Sequence, residues 1–430
     1  MTYIGCQSSH QNSPMQPTPD DTPAPSAQHD FQSRTYPLRV YAGQDALASL
    51  PAELRRNGVR RAVMLCGRSV RERTVLTQKI AELAGGRLAG VFSGITEGAP
   101  GECIELAAQA ALDLDADALI AVGAGSVIKG ARVVAMLMGE RRPLEQMATI
   151  HEEGRAPVSQ KLLAPKVPIF NVLTSPTSAQ NRGGSAVRHH GGAHHLEFFD
   201  PKTRPKAVFW DKAALGTAPL SLARSTSFEI YWWALMCMGA VATSNPLVQA
   251  SRHQAWRLAQ HAYPRLADTA DGDARIDLCA AALLQNRDEE DGGRPWSCQL
   301  LARAAYSVAV AVFNQYPSVT QSHGYAGMAP AVIRCMGHVC PDVTAAIGAA
   351  LGLQVAYSDC QLPERVAVAV EDTFAALGWQ GNLAFAGIPA GDVSLLLGFA
   401  LRNFNANHDR LLNNHTGLLH DAISRSIAVR

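Results

Sequence analysis

Between residues 38 and 139 short apolar, β-branched runs alternate with amphipathic helical patterns, and this rhythm restricts the possible folds more than any other feature of the chain. The order is LRVYAG, ALASLPAELRRNG, RRAVMLCG, VRERTVLTQKIAELAGG and RLAGVFSG, then ECIELAAQAALDLDADA, the run ALIAVG and a helical pattern over 127–138. Such alternation builds βαβ units around a parallel sheet. A less regular stretch over 139–165 leads to one more apolar strand at 167–173 and to a Ser-, Gly- and His-rich segment ending near Pro205. Past Asp211 β-branched runs become rare and helical periodicity dominates, through 221–243, 246–265, 273–285, 295–313 and 345–357. The expected organisation is a doubly wound α/β domain over 31–205 and an all-α domain over 206–430.

The opening 30 residues are rich in Pro, Ser, Gln and Asp and lack an apolar stretch of signal-peptide length, so they are expected to form a disordered tail. With 47% hydrophobic residues over 430 positions, the remainder has ample material for two cores. The 38 basic and 37 acidic side chains nearly cancel and form no long block of one sign, which argues against nucleic acid as a partner. Apolar runs such as 304–313 are well short of the roughly 20 residues that span a bilayer, so no membrane segment is expected. The 9 cysteines include no CxxC pair, which fits a reduced cytoplasmic protein better than a disulfide framework or a zinc knuckle.

The most informative turn follows the run ALIAVG. Gly123, Ala124, Gly125 and Ser126 stand between an apolar strand and a helix with small and aliphatic residues on its inner face. Small residues let a phosphate approach the backbone, and free N–H groups at a helix N-terminus favour an anion. Read alone, the same residues also suit a tight βα turn with a serine cap. A second candidate loop, VPIFNVLTSPTSAQNRGGSAV, carries Thr174, Ser175, Thr177 and Ser178 at the end of a strand. At the end of the earlier strand RRAVMLCG, where dinucleotide folds usually place a carboxylate for the ribose, stand Gly67 and Arg68; space and positive charge there suit the 2′-phosphate of NADP.

These motifs resemble the iron-containing alcohol dehydrogenases and the dehydroquinate synthases. The turn matches the family's GGGSxxDxxK signature at its Gly and Ser positions, with Ala124, Lys129 and Arg132 departing from it. The second loop is similar to PTTxGTGSE, departing at Pro176, Ala179, Gln180 and Asn181. The segment YPLRVYAGQDALASLP resembles the family's opening strand and helix. The resemblance implies NAD or NADP held by Gly67, Arg68, Gly123, Ala124, Gly125, Ser126, Thr174, Ser175, Thr177 and Ser178. It also implies an oxidoreductase acting on an alcohol or carbonyl, with a homo-oligomeric assembly.

The family holds a divalent ion with an Asp and a His four residues apart on one helix and two later His residues, the last in an HG turn. Here the first pair falls on Phe228 and Trp232, or with a one-residue slip on Glu229 and Trp233. The third place is Ala309, and QSHGYAGMAP supplies only His323. One imidazole cannot hold a catalytic cation, so no metal is expected. The segment RHHGGAHHLEFF sets His189, His190, His194 and His195 in a Gly-rich stretch that reads as a solvent-facing hairpin near the cofactor loop. His194 or His323 is the expected acid/base, since imidazole titrates near neutrality. The substrate is expected to be a small molecule or a peptide, a narrower case being oxidation and decarboxylation of a C-terminal β-hydroxy residue. A dinucleotide-binding scaffold without turnover and a non-redox synthase of the same fold are the alternatives.

Overall fold

Strands that are covered on both faces must be apolar along their whole length, and this is how the centre of the sheet is written. In the computed structural model, which describes residues 27–152, 157–189, 195–268, 271–293, 298–356 and 359–428, eight strands are formed: β1 (Arg39–Gly43), β2 (Ala62–Cys66), β3 (Leu88–Phe92), β4 (Ala118–Gly123), β5 (Ile169–Leu173), β6 (Gly184–Arg188), β7 (His195–Phe199) and β8 (Ala207–Asp211). Every residue of β2, β4, β5 and β8 is buried, whereas the edge strands β1 and β3 are partly exposed. The main sheet has six strands in the order β1-β8-β5-β4-β2-β3, and every pairing in it is parallel. From β2 the chain winds outward to β3 and then returns to place β4 on the other side. The strand order therefore reverses between β2 and β4, where a crevice opens at the carboxyl ends.

The expected α/β domain is correct in class but one strand short. β8 lies beyond residue 205 and pairs with both β1 and β5, so the sheet is complete only at Asp211. The Asp211 carboxylate closes this end by accepting from the backbone N–H of Leu47 and of Ala214.

The helical half is built from Leu220–Cys237, Pro246–Arg265, Gly272–Glu290, Leu300–Gln315, Gln321–Met336, Pro341–Ala350, Leu362–Ala376, Val393–Leu401 and Thr416–Ile427, with shorter helices between. Gly272–Glu290 serves both halves: Leu278 packs in the helical core and Cys279 in the core beside the sheet. The pattern over 345–357 becomes a helix at Pro341–Ala350, ended by Gly352 at φ +83°, a left-handed conformation that glycine adopts without strain. Among the described residues no helix is long and apolar enough to cross a membrane. Most of the expected N-terminal tail, residues 1–26, lies outside the described residues.

Candidate active site

The turn after β4 has the geometry that its residue types require. Ala124 takes an extended conformation as N-cap, and the helix Gly125–Glu140 starts immediately behind it. A Cβ on Gly123 would lie 2.6 Å from Val127 Cγ2, and one on Gly125 would lie 3.3 Å from Thr177 Oγ1. Ala124, Gly125 and Ser126 are partly exposed at the crevice, and the first N–H groups of a helix have no intrahelical acceptor. The Ser126 hydroxyl is already used: it accepts from Gly98 N–H at 3.1 Å and ties down the loop after β3. Cys66 is in register with Val122, so Gly67 and the exposed Arg68 stand beside this cradle on the neighbouring strand end. Among the described residues Arg68 makes one loose contact, with Glu72 at 3.9 Å.

The loop after β5 is placed differently from a simple phosphate clamp. Thr174, Ser175, Thr177 and Ser178 are all buried. Ser175 Oγ is 2.7 Å from Thr226 Oγ1, and Ser178 Oγ donates to Glu229 at 3.1 Å, so both hydroxyls reach the helix Leu220–Cys237 rather than the crevice. Thr177 faces the cradle, with its Oγ1 accepting from Ala179 N–H. Thr174 N–H donates to Gly123 O and fixes one strand end against the other.

Across the cleft the helical domain contributes groups that no motif announced. Glu229 accepts from Ser178 and bonds Gln321, whose amide also donates to Tyr325 Oη at 2.9 Å. Within electrostatic reach of it are Lys129, one turn along the cradle helix from Gly125 and Ser126, and Arg182, whose Nε donates to Asn286 at 2.7 Å. Burial raises the Glu229 pKa, with Arg182, Ser178 and Lys129 opposing it. Burial likewise lowers that of Lys129, with Glu229 opposing. Glu229 had surfaced in sequence only as a misregistered metal ligand, and Lys129 only as a departure from a signature. Arg182 carried no sequence signal.

The positions aligned with the family's metal ligands gather around the start of the helix Gln321–Met336, but their side chains do not suit a divalent ion. Phe228 packs in an aromatic cluster with Tyr263, Phe374 and Trp379. Trp232 stacks on Tyr325 with ring centroids 4.5 Å apart. Ala309 backs onto Gly324, whose Cβ would meet it at 3.3 Å. The expected HG turn is the first turn of a helix, and His323 completes a capping box there, its Nδ1 2.9 Å from Thr320 Oγ1. Gln321 and Tyr325 share one helical face, so His323 points to the opposite side, against Trp379 and Phe385. Among the described residues no group of three or more His, Cys, Asp or Glu side chains is gathered for a metal.

The strands at the two ends of the histidine-rich segment, β6 and β7, pair into an antiparallel ribbon. Its inner face is docked rather than free: Ser185 donates to Lys129 O and accepts from Arg132 Nε at 2.9 Å. His189 reaches Glu145 at 3.5 Å on the outside. His190 and His194 lie outside the described residues.

A parallel sheet with a bare turn at the strand-order reversal, joined to a helical second half, is a doubly wound α/β architecture with a crevice at its switch point. Residues 37–212 match the family model of the iron-containing alcohol dehydrogenases. Maleylacetate reductase 2 of Cupriavidus pinatubonensis is 38% identical over 113 residues, 26% of this chain and 31% of that protein. Maleylacetate reductase 1 of the same organism is 27% identical over 252 residues, 57% of this chain and 62% of that protein. The chain thus matches less than two thirds of the length of either relative. The same fold is found in the NADH-dependent butanol dehydrogenase A of Thermotoga maritima, at a TM-score of 0.77 and 17% identity over 94% of this chain and 99% of the other. It recurs in the maleylacetate reductase of Agrobacterium tumefaciens, at a TM-score of 0.69 and 17% identity over 93% and 98%.

Proposed function

We propose that this chain is an NAD(P)-dependent oxidoreductase that acts on an alcohol or carbonyl group without the divalent ion of its family. The observation that carries this reading is the bared cradle at Gly123–Ser126, opening onto a cleft whose far wall has polar and charged groups but, among the described residues, no ligand set for a metal. Bound there, a nicotinamide dinucleotide would supply or accept the hydride. The chain's residues would do the rest: the cradle amides hold the diphosphate, Thr177 closes its side, and Lys129, Glu229 and Tyr325 surround the space that a reacting oxygen would occupy. Gly67 and Arg68 favour NADP over NAD, because the ribose end has positive charge and no carboxylate.

The narrower reading, oxidation of a β-hydroxy acid such as a peptide's C-terminal residue with subsequent loss of carbon dioxide, is supported by the cleft's departure from metal-dependent alcohol oxidation. The maleylacetate reductase relatives point instead to reduction of a small keto acid.

Fluorescence titration with NADH and NADPH, read through the cleft tryptophans, tests the first part. Saturable binding is expected, tighter for NADPH. Protein dialysed against chelator should then turn over on a panel containing maleylacetate, simple aldehydes and peptides ending in threonine. Failure of both nucleotides to associate at millimolar concentration would end this reading, and activity that appears only on adding a divalent metal would end its metal-free part. Binding without turnover would favour a scaffold.

A further inference from the structure

Cys237 and Cys298 bring their sulfurs to 3.8 Å although 61 positions separate them in the chain. The first ends the helix Leu220–Cys237; the second precedes Gln299, which caps the helix Leu300–Gln315. Gln299 fastens the two segments with both ends of its amide: Nε2 donates to Met236 O at 3.0 Å, and Oε1 accepts from Ala302 N–H at 2.9 Å. Residues 236 and 299 are thus tied to each other, and their neighbours 237 and 298 meet sulfur to sulfur. A disulfide is about 2.05 Å long, so starting from 3.8 Å a bridge needs roughly 1.8 Å of further approach. Cys298 lies outside any helix or strand and can supply much of that movement. The two thiols are not alike. Cys237 is 4% exposed, whereas Cys298 is partly open to solvent. The Cys237 S–H donates to Cys298 Sγ, and this bond lowers the Cys298 pKa; the Arg252 guanidinium and the Gln299 backbone N–H assist, while burial and Asp288, which pairs with Arg252 at 2.6 Å, oppose. The same bond raises the Cys237 pKa, and burial adds to it. Elsewhere burial dominates, pushing Cys66 up to about 11 and raising Cys279 as well.

A cysteine that serves only as a small hydrophobe needs neither solvent access nor a second thiol against it, whereas a reversible redox site needs both. We infer that Cys237 and Cys298 form a modification site that takes a hydroperoxide, with Cys298 as the attacking sulfur and Cys237 as the resolving one. The Cys298 thiolate attacks one oxygen of the hydroperoxide: an S–O bond forms, the O–O bond breaks, and the alkoxide or hydroxide released takes up the proton that Cys298 gave up. Cys237 then attacks the sulfur of the Cys298 sulfenic acid. The S–S bond forms, the S–O bond breaks, and hydroxide leaves with the Cys237 proton as water. The thiol pair loses two electrons in all, and the hydroperoxide is reduced to an alcohol, or to water, with one further water released. In a reducing compartment a dithiol reverses the bridge, so the pair works transiently and needs no oxidising environment. The site is separate from the dinucleotide cradle and does not depend on it.

Treating the fully reduced, full-length protein with a slight excess of hydrogen peroxide tests this, with thiols titrated under denaturing conditions after quenching and peptides mapped without reductant. The titrated thiols should fall by two from 9. A peptide linked through Cys237 and Cys298 should appear before the exposed Cys360 thiol is lost, and dithiothreitol should restore the full count. In Cys237→Ala the sulfenic acid has no resolving thiol, so dimedone should label Cys298; in Cys298→Ala, Cys237 should stay unlabelled. The map of the unaltered protein decides the matter even where a variant fails to fold. The site is refuted if the linked peptide does not form or if Cys360 is oxidised first. Dimedone on Cys237 in Cys298→Ala, with Cys298 unlabelled in a folded Cys237→Ala, would overturn the roles assigned to the two sulfurs.

Discussion

At the scale of single residues the cradle depends on two missing side chains. Gly125 is the more informative to change, because it sits at the first helical position with an ordinary backbone, and a Cβ there meets only Thr177 Oγ1 at 3.3 Å. An acidic side chain at a helix N-terminus favours the helix and repels a phosphate. Gly125→Asp is therefore expected to keep the melting temperature while weakening NADPH binding by about tenfold to a hundredfold. Unchanged affinity would show that the diphosphate lies elsewhere. This turn was legible in sequence, since a bare loop between a strand and a helix is a local pattern. The charged wall was not. Lys129, Arg182 and Glu229 lie on a helix of the first domain, on a loop after β5 and on a helix of the second domain, and each alone resembles a solvated surface charge. Only the docking of Leu220–Cys237 against the loop after β5 brings them together.

At the scale of elements, the segment QSHGYAGMAP shows how a motif can keep its letters and change its work. Thr320 accepts from the backbone N–H of His323, and the His323 ring returns toward Thr320 N–H, so a segment expected to be a turn around a metal ligand begins a helix that is buried for most of its length. Losing an N-cap hydroxyl costs about 1 kcal/mol, so Thr320→Ala is expected to lower stability by that amount in denaturant titration. His323→Gln should cost far less, because glutamine at this position supports the same reciprocal cap. If the acid/base work lies at the Lys129 and Glu229 wall, His323→Gln also retains most turnover; loss of turnover in a well-folded His323→Gln protein would return the histidine to the catalytic centre. The alternation of strands and helices was readable to within a few residues, because each element carries its own period. The end of the sheet was not, since β8 is followed at once by helices and its partners β1 and β5 are remote in sequence.

At the scale of the whole molecule, the two domains are held together at the floor of the cleft. Ser175 meets Thr226, Ser178 meets Glu229, Gln180 donates to Cys279 O at 2.8 Å, and Asn286 donates to Ser178 O at 2.8 Å and to Asn181. These ties run from the loop after β5 to two different helices, and that loop also carries Thr177 beside the cradle. A ligand that orders the loop therefore acts on both domains. A ligand at about 100 times its Kd stabilises the folded state by about 2.7 kcal/mol. Because Gly272–Glu290 contributes to both cores, that energy should not be confined to the sheet. Trp210 is buried beside the sheet, so in a Trp210→Phe variant the buried fluorescence reporters Trp232, Trp233 and Trp256 all belong to the helical core; its thermal unfolding, followed at once by circular dichroism and by tryptophan fluorescence, is expected to give coincident transitions that move upward together by a few degrees on adding NADPH. A fluorescence transition that stays in place while the dichroism transition moves would mean that the helical domain melts independently, and that the contacts between the loop and Leu220–Cys237 are too weak to couple cofactor binding to the wall where the substrate is expected to sit.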